Sequence, residues 1–174
     1  MGQPLSSCEF CEIVAGRSAA SVVHRDAECI AFMDIRPVTP GHLLVVPIEH
    51  ATHLADLDRA EGKALFALAQ LLAAAIRRSE LKPEGINLHL ADGEAAGQEI
   101  FHVHLHVIPG HRGDRFGLRL PPGYGPHADR ARLDDDAAAI AKALNALQHP
   151  EERRHPDERR TPNDSGGTHG PDKV

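Results

Sequence analysis

His102, His104 and His106 recur at every second residue of Phe101-His102-Val103-His104-Leu105-His106-Val107-Ile108. Strict alternation of polar and apolar side chains predicts a half-buried strand. Val103, Leu105 and Val107 would face a core, and the three imidazoles would share the other face. Neighbouring imidazoles would lie roughly 6.5–7 Å apart along such a strand. An imidazole titrates near neutral pH and can serve as nucleophile, proton carrier or metal ligand. The row therefore admits three readings: a polar face satisfied by water or carbonyls, a metal site shared by two histidines, or phosphoryl chemistry. In the last, one neutral imidazole attacks phosphorus while a neighbour donates to the phosphate or leaving group. A metallohydrolase would want carboxylates close by, whereas Val107-Ile108-Pro109 follows directly. A second group, Cys8-Glu9-Phe10-Cys11, is a pair of packed small hydrophobes, a redox pair, or half of a zinc site that needs two further ligands. Cys29 lies in a strand pattern and reads as core.

Positioning the histidine row requires a sheet and something to cover it. Short strands are expected at Ser21–His24, Cys29–Met33, His42–Pro47 and Ile86–Ala91, with residues 101–108 as the fifth. Cys8 to Ala15 reads as a short helix or turn closed by Gly16. The longest helix is expected from Arg59 to Ser79. Asp58 and Glu61 form a capping box at its start, and Leu65, Leu68, Leu72 and Ile76 lie on one stripe. A last helix is expected from Asp134 to Leu147, with Asp134, Asp135 and Asp136 at its positive end. The fold class is then α+β: a five-stranded antiparallel sheet packed with one long and one C-terminal helix.

The 174 residues are 41% hydrophobic and 25% charged, enough for one globular domain over residues 1–148. From His149 onward the only hydrophobic residue is Val174, so 149–174 is expected to be a disordered, charged, Pro/Gly-rich tail. A net charge of -6 with no basic patch argues against a nucleic-acid polymer as partner. No apolar run approaches the roughly 18–20 residues of a membrane span, and no secretory signal is visible at the start. Three cysteines do not make a disulfide framework, so the expected location is the cytoplasm.

His102-Val103-His104-Leu105-His106-Val107-Ile108 resembles the motif of the histidine triad (HIT) family, and three further blocks accompany it in the family's order. Asp92-Gly93-Glu94-Ala95-Ala96-Gly97-Gln98-Glu99-Ile100-Phe101 resembles its phosphate loop. Ala31-Phe32-Met33-Asp34-Ile35-Arg36-Pro37 and Pro40-Gly41-His42-Leu43-Leu44-Val45-Val46-Pro47 resemble its nucleotide-binding strands. The resemblance implies hydrolysis or transfer of a nucleoside monophosphate group from phosphoramidates or dinucleoside polyphosphates. His104 would attack the α-phosphorus and form a nucleotidyl-histidine, which water or another acceptor resolves. His106 would attend the phosphate or leaving group, and His42 would lie beneath the triad. The His102 carbonyl would hold His104 Nδ1 and free Nε2. Gly97, Gln98 and the main-chain N–H groups through Glu99 would surround the phosphorus, with Gly97 allowing close approach. Asp34 would accept from the ribose hydroxyls or serve as a turn residue, and Ile13 and Phe32 would line the base pocket or the core.

The implied substrate is a purine nucleotide-type small molecule, and the implied assembly is a homodimer. No organic cofactor is expected. In the bacterial branch that opens with Cys-x-x-Cys, the resemblance adds His50 and His102 to Cys8 and Cys11 as ligands of a structural zinc. Two positions depart from the family pattern: Ala91, where many members carry Asn or Gln, and Glu99, where a hydroxyl residue is frequent in the eukaryotic branch. Nucleotidyl transfer to phosphate, a nucleotide-binding scaffold with little turnover, and a metal-dependent hydrolase are the competing functions.

Overall fold

A computed structural model describes residues 8–114, 116–117, 124–125 and 127–148; the tail expected at 149–174 lies outside the described residues. The chain divides into two compact units between Arg119 and Leu120. The first carries α1 (Glu9–Val14), β1 (Val22–Arg25), β2 (Cys29–Met33), β3 (Leu43–Pro47), α2 (Arg59–Arg78), β4 (Gly85–His89) and β5 (Leu105–Gly110). The strands form one antiparallel sheet in the order β1-β2-β3-β5-β4.

Alternation along the strands divides the core between the two faces of the sheet. Ala31, Leu43, Val45, Val103, Leu105 and Val107 pack with Leu65, Leu68, Leu72 and Ile76 of α2. Ile30, Phe32, Leu44 and Val46 pack on the other face with Cys8 and Phe10. Helix α2 begins at the expected capping box: Asp58 Oδ1 accepts from the Ala60 N–H at 2.7 Å, and the Asp58 N–H donates to Glu61 Oε2 at 3.3 Å. Such a cap is worth about 1 kcal/mol, and the buried leucine stripe supplies the larger share of the helix's stability.

Two expectations need correction. The strand expected over 101–108 begins only at Leu105, where its ladder with β3 ends at the Val45–Leu105 pair. The Val103 N–H donates instead to the Ala51 carbonyl at 2.8 Å. His102 therefore leaves the row. In the second unit, α3 (Arg130–Gln148) starts one turn before the three aspartates. Asp129 takes the capping place, its carboxylate accepting from the Arg132 N–H at 3.3 Å, so Asp134, Asp135 and Asp136 lie beyond the first turn. No described helix is long and apolar enough to cross a membrane.

Candidate active site

A cavity of about 530 Å³ opens on the sheet face opposite α2. His104, His106, His42 and Asp34 line its polar part, and Phe10, Phe32 and Ile13 line an apolar part. Gly97 and Glu99 reach it from the loop before β5. Gly41, at φ +88°, delivers His42 to this face, and a Cβ there would come within 2.5 Å of the Leu81 side chain. Only glycine fits that turn.

The two triad histidines that line the cavity, His104 and His106, are held in opposite tautomers by their neighbours. His104 Nδ1 lies 2.7 Å from the His102 carbonyl, which can only accept, so Nδ1 carries the proton and Nε2 keeps its lone pair. For His106 the chain of reasoning starts at the backbone. The Val38 N–H donates to His42 Nδ1 at 3.2 Å, so neutral His42 carries its proton on Nε2. That Nε2 lies 2.9 Å from His106 Nδ1 and donates to it, leaving His106 with its proton on Nε2. One ring thus offers a lone pair and its neighbour an N–H.

Burial keeps these rings neutral. It lowers His104 below the ordinary histidine value, partly opposed by the His102 carbonyl. It takes His106 down to about 4, helped by His104, His42 and His89. His42 is also lowered by burial, with Asp34 pulling the other way. Asp34 Oδ2 lies 3.6 Å from His42 Nε2, while Oδ1 accepts from the Arg36 N–H at 2.7 Å as a turn residue. Asp34, His42 and His106 are close enough to be considered for a metal. The 2.9 Å separation and the proton on His42 Nε2 make their contact a hydrogen bond instead.

The loop before β5 departs from the expected pattern of donors. Gln98, expected beside the phosphorus, turns inward: its Oε1 accepts from the Gly93 N–H, and its Nε2 donates to the Thr52 and Ile100 carbonyls. The Gly97 and Gln98 N–H groups go to the Glu94 and Gly93 carbonyls, so within residues 97–99 the Glu99 N–H is the one main-chain donor without a partner among the described residues. Gly97 is required for its φ of +89°, and a Cβ there would meet nothing within 4 Å, so torsion rather than close approach explains the glycine. Ala91 lines the cavity and supplies no polar contact.

Sequence reasoning missed Phe10, Arg36 and His89. The Phe10 ring meets His104 edge-on at 5.1 Å, and His89 pairs with His106 across β4 and β5 with rings 5.8 Å apart. The Ile86-Asn87-Leu88-His89 alternation was the available signal for His89, and Phe10's place between two cysteines was the signal for that ring.

His102 is fully buried away from the cavity, beside α1. Its Nδ1 lies 3.6 Å from both Cys8 Sγ and Cys11 Sγ, and Cys11 Sγ lies 3.2 Å from His50 Nδ1. Zinc with bonds of about 2.3 Å to sulfur and 2.0–2.1 Å to nitrogen sets tetrahedral ligand atoms about 3.4–3.8 Å apart. The two 3.6 Å spacings match that geometry, the 3.2 Å spacing is slightly tighter, and all four donor atoms lie within 4.8 Å of one another, close enough to share one ion. His102 Nε2 donates to the Pro47 carbonyl at 3.0 Å, which turns the Nδ1 lone pair toward the sulfurs. Burial takes His102 down to about 4, so it is neutral as a ligand must be.

The HIT domain family model matches residues 15–113. The chain is 37% identical over 142 residues to Protein hit of Bacillus subtilis strain 168, which spans 79% of this chain and 94% of that protein. It is 32% identical over 150 residues to Adenylylsulfatase HINT3 of Arabidopsis thaliana, covering 85% of this chain and 74% of that one. The structure of a Zn-bound histidine triad family protein from Mycobacterium smegmatis matches with a TM-score of 0.63 at 35% identity, covering 83% of this chain and 99% of that chain. The family model spans more than half of the sequence and the B. subtilis relative is matched over nearly its whole length, so this chain belongs to the HIT domain family.

Proposed function

We propose that this protein is a nucleotide hydrolase or transferase acting on nucleoside phosphoramidates or dinucleoside polyphosphates through a nucleotidyl-histidine on His104. The observation that carries the reading is the 2.7 Å bond from His104 Nδ1 to the His102 carbonyl, which leaves Nε2 unprotonated toward the cavity. The relative named an adenylylsulfatase supports an adenylyl-type substrate. His104 Nε2 bonds to the α-phosphorus as the bond to the leaving group breaks; the departing group keeps the electron pair and, where it is an amine, takes a proton from solvent water in the open cavity. The ring becomes cationic, and the His102 carbonyl stabilises its Nδ1–H. His106, neutral with its proton on Nε2, stabilises charge on the phosphoryl oxygens by a hydrogen bond. Water then attacks phosphorus as the bond to Nε2 breaks; the electron pair returns to His104, which is neutral again, and the water's proton passes to solvent, leaving the nucleoside monophosphate.

Phe10, Phe32 and Ile13 supply the apolar walls for a purine, and Asp34 stands beside them for the ribose hydroxyls. Cys8, Cys11, His50 and His102 would hold a structural zinc, which would join α1 to the chain entering β5. The protein is read as a cytoplasmic homodimer; β4, at the sheet's edge with Leu88 exposed, is one surface suited to a second copy.

Intact-mass spectrometry of protein mixed with phosphoramidates and dinucleoside polyphosphates tests the intermediate. A nucleotidyl-mass adduct that disappears with His104→Ala is expected; turnover through a ternary complex with no adduct at any time would oppose the reading. Adding inorganic phosphate and looking for a nucleoside diphosphate separates transfer from hydrolysis. The pH profile offers a second check. Protonation removes the nucleophile, and burial lowers His104 below 6.5, so kcat/KM should hold as pH falls through 6.5 and decline only below it. An acid limb centred at 6.5 or above, with a substrate that does not titrate there, contradicts this electrostatic picture.

A further inference from the structure

Arg36 Nη2 lies 3.2 Å from Glu99 Oε2. The two residues are 63 positions apart, one on the chain leaving β2 and the other on the loop before β5, and both line the cavity of His104 and His106. Their side chains are 81% and 78% exposed, and each stands on or next to an anchored residue. The Arg36 N–H is held by Asp34, and Glu99 follows the clamped Gln98. The apolar walls suit a base, so a phosphate chain or leaving group must meet polar lining; of the charged residues that line the cavity (Glu9, Asp34, Arg36 and Glu99), Arg36 is the one cation, and Glu99 is paired with it.

We propose that the Arg36–Glu99 ion pair is a leaving-group filter that favours neutral or cationic amines over polyphosphates, an inference that rests on the α-phosphate sitting at His104. Alone, Arg36 would be a natural receptor for a second phosphate. Paired, its charge is cancelled. A polyphosphate must draw the guanidinium from Glu99 and then face the released carboxylate. A neutral amine leaves the pair intact, and a cationic one finds Glu99 attractive. An exposed ion pair is weak, so the filter biases selectivity by a modest factor and does not bar the cavity.

The test compares kcat/KM for an adenosine phosphoramidate of a neutral amine with that for diadenosine tetraphosphate. The proteins are the full-length wild type, Glu99→Gln, Arg36→Met and the double variant. Glu99→Gln should raise the polyphosphate-to-phosphoramidate ratio by about fivefold, in line with a surface ion pair. The double variant should lose that gain, because no guanidinium remains to be released. The gain should also shrink between roughly 0.05 and 0.5 M salt as screening grows. An unchanged ratio in Glu99→Gln, or a gain that persists without Arg36, overturns the filter. If the wild type cleaves neither substrate, the function proposed above fails. The affinities of AMP and ATP for the same four proteins, by calorimetry, then decide the filter alone: Glu99→Gln must tighten ATP relative to AMP, and only when Arg36 is present.

Discussion

His104→Ala is expected to lower kcat for phosphoramidate hydrolysis by on the order of 10⁴-fold or more, with the nucleotide still bound. At about 1.4 kcal/mol per tenfold, that is roughly 5–6 kcal/mol of transition-state stabilisation. The loss falls on kcat because the apolar walls, Asp34 and the loop before β5 remain in place for the ground state. His104 is buried and touches Phe10 edge-on, so alanine also removes packing and leaves the His102 carbonyl without its donor. His104→Asn guards against reading a folding defect as a catalytic one: it keeps an N–H near that carbonyl and more of the side-chain volume, yet an amide does not attack phosphorus. Both variants should give the same loss in kcat with nucleotide affinity within a few-fold of wild type. Wild-type turnover by either folded variant would remove His104 as the nucleophile.

The period-two and capping signals located the sheet and α2 because each is a local preference that the packing reinforces. Val103, Leu105 and Val107 face α2 as alternation requires, and Asp58 with Glu61 marks the start of that helix. Alternation alone could not find where β5 begins, since the Val103 N–H leaves the sheet for the Ala51 carbonyl, on a segment distant in sequence. The separation of His102 from His104 and His106 likewise depends on Cys8 and Cys11, more than 90 residues away. The resemblance to HIT proteins named this ligand set; periodicity could not. Gln98 shows the limit of motif reading in the other direction: a carboxamide beside a glycine reads as a phosphate contact, yet its three hydrogen bonds hold the loop itself. Arg36 and Glu99 meet across 63 residues, and neither residue's local sequence announces the other.

Stripping zinc with a strong chelator is expected to lower the melting temperature by about 10–20 °C, and the purified protein should carry close to one zinc per chain. The scale follows from a loss of roughly 5 kcal/mol, with about 2–4 °C for each kcal/mol in a domain of this size. That loss is smaller than the roughly 10–16 kcal/mol of isolated zinc-finger peptides, because the α2-side core is built without Cys8, Cys11, His50 or His102. Without the cation, burial and the neighbouring Cys8 push the Cys11 thiol up to about 11, and sulfur–imidazole contacts of 3.2–3.6 Å hold α1 only weakly. The consequence reaches the cavity through Phe10, which lies between the two cysteines and meets the rings of Phe32 and His104. When α1 loosens, the apolar wall moves away from the base, while His106 stays held by His42 in the sheet. At temperatures where the stripped protein is still folded, KM should therefore rise more than kcat falls, and added zinc should restore both. A complete loss of kcat with unchanged KM and melting temperature would assign the metal to catalysis. Protein purified with zinc present yet carrying none, with a melting temperature indifferent to chelator, would remove the site altogether.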